Sequence, residues 1–122
     1  MIEEAYVSFE TAKLLKEKGF KEITQGYINA DQEIYMCPFQ QGVYELSDKR
    51  YPYPTLQMAM RWLREVHDIK VNVFYNNSTY TIEYFEPNTQ TGVGKFVFIG
   101  DGYHTYEQAC EVAIKYCLEN LI

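Results

Sequence analysis

The chain has 122 residues, 47% of them hydrophobic, with a formal net charge of −6 and a sequence pI of about 4.9. A chain of this length forms one domain and buries roughly two-thirds of the surface of its unfolded state. The acidic balance argues against broad binding to nucleic acid, which needs a surplus of lysine and arginine on one surface.

The cysteines and the N-terminal residues indicate a cellular compartment. Three cysteines, an odd number without paired spacing, fit a reducing environment better than a disulfide framework. The acidic N-terminus lacks the basic region and apolar run of a signal peptide, and no stretch approaches the roughly 18 apolar residues of a membrane span. We therefore expect a soluble cytoplasmic protein with no membrane partner.

The first predicted element is a helix over residues 8–19, with Ser8 as its N-cap and Gly19 as its left-handed stop. A small basic cluster lies on it and just beyond it, but glutamates alternate with the lysines. This pattern favours a solvated helix face with surface ion pairs over a nucleic-acid site. The lysines are Lys13, Lys16, Lys18 and Lys21.

Residues 23–50 have short and weak patterns. Short strands are predicted over 25–30 and 33–38, a third over 42–46, and a polar loop over 47–50.

A helix over residues 55–68 contains the only tryptophan of the chain. Pro52 and Pro54 favour extended backbone, so the helix begins after them with Thr55 as its N-cap. Its apolar residues form a wide stripe that predicts burial in a core. Trp62 lies at the margin of this stripe, where a core-edge position is favoured and an exposed anchor for a partner protein is the alternative.

A β-hairpin is the clearest strand signal. Residues 71–75 and 79–85 alternate between apolar and polar, and Asn76, Asn77 and Ser78 form a turn between them. The alternation predicts a half-buried antiparallel sheet. The residues predicted to share one face of the second strand are Tyr80, Ile82 and Tyr84.

A strand over 95–99 follows a loop over 86–94. It is apolar on both faces, which predicts a central or covered strand that ends at the glycine-rich residues 100–102.

The last helix begins with a capping box, in which Gln108 reaches back to the backbone N–H of the N-cap Thr105. Cys110 and Cys117 lie seven positions apart, so their Cα atoms are roughly 10 Å apart along the helix. One zinc ion does not readily bind both, and core packing is the better interpretation. The predicted buried face comprises Tyr106, Ala109, Cys110, Ala113, Cys117, Leu118 and Leu121.

All three helices begin with a similar five-residue pattern, at 8–12, 55–59 and 105–109. Each has a hydroxyl residue, an apolar residue, Glu or Gln, a variable residue and then Ala. Convergent helix-start chemistry explains this pattern, and a duplicated strand–helix unit is the alternative.

Together these elements predict a single α+β domain over residues 1–122. About three helices pack on one face of an antiparallel β-sheet in two layers, in the order α–β–β–(β)–α–β–β–β–α.

Three segments of the sequence resemble short proteins of Bacteroides phages and prophages to which no activity is assigned. The segments are 7–20 (VSFETAKLLKEKGF), 53–67 (YPTLQMAMRWLREVH) and 105–122 (TYEQACEVAIKYCLENLI). The resemblance implies an accessory role in the host cytoplasm and carries no functional residue to this chain.

The composition favours binding over catalysis. Tyrosine contributes 12 of 122 residues, and tyrosine is common in binding surfaces as well as in strands. We predict a non-enzymatic protein-binding module that contacts another protein or itself, with no cofactor and no metal. Aromatic residues and arginine dominate interface hot spots, so we predict that the binding surface consists of such residues. It comprises Tyr51, Tyr53, Arg61, Trp62 and Arg64.

The alternative is a small enzyme or ligand-binding domain that depends on cysteine and histidine. Cys37 would be its nucleophile and His67 or His104 its base, oriented by Asp68 or Asp101. The spacing of these residues does not by itself require such a site.

Overall fold

The computed structural model describes residues 2–36 and 49–122. The predicted α+β class is confirmed. The elements are α1 (Phe9–Glu17), β1 (Gly26–Asn29), β2 (Ile34–Met36), β3 (Arg50–Pro52), α2 (Leu56–Val66), β4 (Lys70–Asn76), β5 (Thr79–Glu86), β6 (Lys95–Tyr103) and α3 (Tyr106–Asn120). No helix among these residues is long and apolar enough to cross a bilayer.

The described strands form two antiparallel sheets of three strands each, with the orders β2-β1-β3 and β4-β5-β6. We predicted one sheet. The first sheet ends at β3, whose Pro52 has no N–H to donate to a further strand, so β3 is suited to an edge position. The helix α2 then separates β3 from the second sheet.

Each helix begins at a hydroxyl cap, as predicted. The side-chain oxygens of Ser8, Thr55 and Thr105 accept the backbone N–H of the residue three positions later, at 3.2, 3.1 and 3.0 Å. Gln108 Oε1 accepts from the N–H of His104 at 3.3 Å, one residue before the position that the capping box predicted.

The helix α3 is the centre of the core. It contacts both other helices and all three strands of the second sheet. Its buried side chains include Cys110 and Cys117, as the core-packing interpretation predicted, together with Ile114, which we did not assign to this face. A larger cluster joins the three helices, and a smaller one joins Ile82 of β5 to α3.

The predicted hairpin is confirmed. β4 and β5 pair from Lys70 and Phe85 to Asn76 and Thr79, and the turn residues Asn77 and Ser78 have φ angles of 52° and 69°. Two successive left-handed residues define a type I′ turn, whose twist matches that of the flanking strands.

The strand predicted over 42–46 lies outside the described residues and stays a prediction. Two other predictions were wrong. Arg50 belongs to β3, whereas we predicted a polar loop. β6 continues through Gly100 to Tyr103 and is an edge strand rather than a central or covered one. Its outward side chains Phe96 and Phe98 are 58% and 62% exposed. The apolar pattern was read correctly, but no described element of the chain covers it.

Candidate functional site

Two concavities lie beside α2, and Met58 lines both of them. The first has a volume of about 390 Å³ and lies between the N-terminal segment, residues 23–25 and the start of α2. The second has a volume of about 300 Å³ and lies beside the middle of α2. We name this feature the α2 groove, defined by Glu4, Tyr6, Glu22, Ile23, Tyr53, Met58, Arg61, Trp62, Glu65 and Val66.

The first concavity has an aromatic wall. The rings of Tyr6 and Tyr53 stack with centroids 4.7 Å apart and planes 5° apart. Backbone bonds hold the two segments together, because the Val7 N–H donates to the Pro54 carbonyl at 3.1 Å. Burial raises the pKa of the Tyr53 phenol, so its hydroxyl stays protonated at neutral pH and available as a donor.

Trp62 forms part of the floor of the second concavity. It is only 5% exposed, and its ring makes edge contacts with Phe20 and His67 at centroid distances of 5.3 and 4.6 Å. This is the core-edge position that the sequence favoured. The indole therefore lines the concavity and does not project as an anchor.

The other residues of the predicted surface are not all together. Arg61 lines the groove, and its Nε donates to Glu65 Oε1 at 3.0 Å, while Arg64 is exposed and does not line it. Tyr51 lies on β3, where it packs edge-on against Phe9 of α1 at 5.5 Å. Of the five predicted residues, Tyr53 thus lines the first concavity, and Arg61 and Trp62 line the second.

The groove has an apolar interior and an acidic rim. Glu4 borders the first concavity, and Glu22 and Glu65 border the second. The cation on this rim, Arg61, is already paired with Glu65. Sequence reasoning missed Met58, which lines both concavities, and both Glu4 and Glu22, because these residues come from three separate segments.

Cysteine chemistry has no support from the described residues. Cys110 and Cys117 are fully buried, and burial raises the pKa of both thiols, that of Cys117 to about 12. Cys37 lies outside the described residues, so its role as a nucleophile stays a prediction.

The predicted partners of Cys37 are described. His67 is partly buried at the end of α2, with no hydrogen-bond partner for its Nε2 among the described residues, and His104 is exposed. Asp68 pairs with Lys70 at 3.1 Å, and Asp101 is exposed on β6. Within residues 2–36 and 49–122, no three His, Cys, Asp or Glu side chains are placed to hold a metal ion.

A polar cluster apart from the α2 groove joins α1 and α3. One carboxylate oxygen of Glu111 on α3 accepts from the Ser8 backbone N–H at 3.1 Å, from the Thr11 hydroxyl at 2.6 Å and from the Ser8 hydroxyl. The other oxygen is buried and has no partner among the described residues. The carboxylate faces the N-terminus of α1, where the helix dipole favours negative charge. This cluster therefore has a structural explanation as an inter-helix cap.

No protein-family model, curated protein or solved structure matches the chain.

Proposed function

We propose that this protein is a non-enzymatic protein-binding module, accessory in role and of phage or prophage origin, that binds a basic, apolar segment of a partner protein in the α2 groove. The observation that carries the proposal is the combination of an apolar, aromatic interior with an acidic rim in two concavities that share Met58. Its setting is the host cytoplasm.

The dimensions of the groove suit a peptide segment. Each concavity has the volume of a small ligand site, which is about 300–1,000 Å³. Met58 and Val66 are eight positions apart on α2, so the groove follows roughly 12 Å of the helix axis. An amphipathic helix that presents apolar residues one and two turns apart would match this length.

The charge of the groove selects the partner. Glu4 and Glu22 on the rim attract lysine or arginine, and the net charge of −6 extends that attraction beyond contact distance. Because Arg61 already pairs with Glu65, it offers little attraction to an acidic segment.

A direct test uses a helical peptide with leucines on one face and lysines on the other. Trp62 is the only tryptophan and lies in the floor of the groove, so its fluorescence reports occupancy. We expect saturable binding that weakens with added salt, because exposed charges are screened over about 10 Å at 0.1 M ionic strength. A peptide with the same leucines and glutamate in place of lysine should not bind.

Matched variants locate the binding site. Glu22→Lys reverses a rim charge and should weaken binding of the lysine peptide about threefold to tenfold. Glu119→Lys makes the same change in net charge at an exposed position of α3 and should leave binding within about twofold of the wild type. Equal losses in the two variants would show that only the overall charge attracts the peptide, and the groove would be the wrong site.

A capture experiment from Bacteroides lysate tests the accessory role. The tagged wild type, Met58→Ser and Glu119→Lys are compared at equal concentration. A stoichiometric partner that Met58→Ser loses and Glu119→Lys retains supports the proposal. A partner that all three proteins capture equally argues against the groove.

A further inference from the structure

Four phenylalanines share the outer face of the second sheet. The register pairs Phe85 with Phe96, Phe74 with Thr81, and Phe98 with Glu83, which places all four rings on the same side. The rings of Phe85 and Phe96 contact each other edge-on at 5.5 Å. We name this surface the phenylalanine face, defined by Phe74, Phe85, Phe96 and Phe98.

The two faces of this sheet have contrasting environments. The inner face, which includes Ile82, packs against α3 and is covered. On the outer face Thr81 is only 8% exposed. The rings of Phe96 and Phe98 remain more than half exposed. Exposed aromatic rings that share one face of a sheet are typical of an interaction site.

We infer that the phenylalanine face is the interface of a homodimer, in which two copies stack their second sheets face to face. This interface shares no residue with the α2 groove, and the inference does not depend on the function proposed for that groove.

The charge of the sheet favours a second copy as the occupant. β4, β5 and β6 carry two lysines and three acidic residues, a net charge of −1 in a chain whose net charge is −6. The carboxylate of Glu83, within the face, accepts a hydrogen bond from the Asn72 amide at 3.0 Å. A second copy therefore meets little like-charge repulsion here, whereas the more acidic surfaces repel it. A strongly basic partner gains little attraction at this face.

The size of the face sets the expected strength of the dimer. Strands of 7, 8 and 9 residues at the usual rise and spacing cover roughly 25 by 15 Å, or on the order of 400 Å². A standard interface uses about 800 Å² of each partner. The dimer is therefore reversible, and the fraction of dimer depends on protein concentration.

The edge of β6 is a poor alternative for self-association. Its pairing with β5 shifts register twice, between Glu83 and Ile82 and between Ile82 and Tyr80. Bulges of this kind twist an edge strand and oppose the addition of another strand. Stacking through the face is thus favoured over extension of the sheet.

The test is sedimentation velocity of the whole chain over a range of concentrations. We expect a reversible monomer–dimer equilibrium for the wild type. Replacing Phe96 and Phe98 with threonine keeps good strand propensity and removes both exposed rings. This double variant should raise the dimer dissociation constant by at least about tenfold. Circular dichroism and thermal melting establish that it is folded, and Phe98→Lys provides a second variant at the more exposed position.

The control is Tyr75→Thr, which removes an aromatic ring that is 64% exposed on the same sheet but has the side-chain orientation of the inner face. Its dissociation constant should stay within about twofold of the wild type. The inference is overturned by a wild type that stays monomeric at all concentrations, by dimers that survive both phenylalanine variants, or by an equal loss in Tyr75→Thr. A monomeric wild type would leave the face to a different protein.

Discussion

At the scale of single residues, Glu111 is the side chain with the clearest effect on stability. Glu111→Ala removes the acceptor for three donors, and the fully buried Thr11 hydroxyl loses the group to which it donates. We expect the free energy of unfolding to fall by about 2 kcal/mol, the usual cost of leaving buried donors unsatisfied. Urea denaturation followed by Trp62 fluorescence measures it.

A second variant at this position separates charge from geometry, and a variant elsewhere on α3 is the control. Glu111→Gln keeps one oxygen acceptor but removes the negative charge at the start of α1, so a loss of roughly 0.5–1 kcal/mol is expected. Glu119→Ala on the same helix should change stability by less than about 0.5 kcal/mol. If Glu111→Ala were as neutral as Glu119→Ala, the inter-helix cap would not stabilise the fold.

The buried thiols give a prediction for reactivity. Only the thiolate reacts with disulfide reagents, and Cys117 keeps its proton until the pH approaches its pKa of about 12. In a Cys37→Ser variant, the native protein should therefore show almost no reaction at pH 8, and unfolding in urea should expose two thiols. Fast labelling of the native protein would contradict the burial of Cys110 and Cys117.

The same thiol makes stability depend on pH in one direction. The unfolded chain releases the Cys117 proton near the ordinary value of 9.0, whereas the folded chain retains it to about 12. The unfolded state thus binds fewer protons across this window, and the free energy of unfolding falls as the pH rises through it.

At the scale of elements, the hairpin turn between β4 and β5 can be improved. Ser78 has a φ angle of 69°, a left-handed backbone conformation that most residues other than Gly and Asn adopt only at an energetic cost. Ser78→Gly creates the Asn-Gly pair preferred in type I′ turns and should raise the free energy of unfolding by about 0.5–1 kcal/mol. Thermal or urea unfolding measures this change.

Asn77→Gly is the matched control for this turn. Asn77 also has a left-handed φ of 52°, but asparagine tolerates this region better than serine, so the gain should be smaller. A larger gain at Asn77 than at Ser78, or a loss at Ser78, would contradict the assignment of strain to the serine.

Elements with local signals were predictable from the sequence. The helix caps at Ser8, Thr55 and Thr105 use a hydroxyl and a backbone N–H three positions away, so the information is contained in one turn. The β4–β5 hairpin likewise depends on alternation and on adjacent turn residues. The strand β3 was not predicted, because its residues Arg50 and Pro52 pair with β1, more than 20 positions earlier in the chain. Such long-range pairing leaves no local pattern in the sequence.

At the scale of the whole molecule, the sequence could not predict which residues come together to form the candidate surfaces. The α2 groove combines side chains from near residues 4, 22 and 58, and no periodicity links these positions. Residue type alone selected Tyr53, Arg61 and Trp62, which line the two concavities, but it could not show that Tyr51 packs against Phe9. The apolar pattern of β6 predicted a central or covered strand, and this was wrong, because β6 lies at the edge of the described sheet with Phe96 and Phe98 more than half exposed.

The contact of the first helix with the last also constrains the order of folding. Glu111 bonds to residues 100 and 103 positions earlier, and the larger core cluster extends from Val7 to Leu118. Such contacts close long loops and slow folding, because the loop entropy is lost before the contacts form. During synthesis at about 5–20 residues per second, α1 must wait for several seconds before α3 exists to cover it. The nascent chain therefore exposes the apolar face of α1 to solvent or to chaperones until translation has passed Leu118.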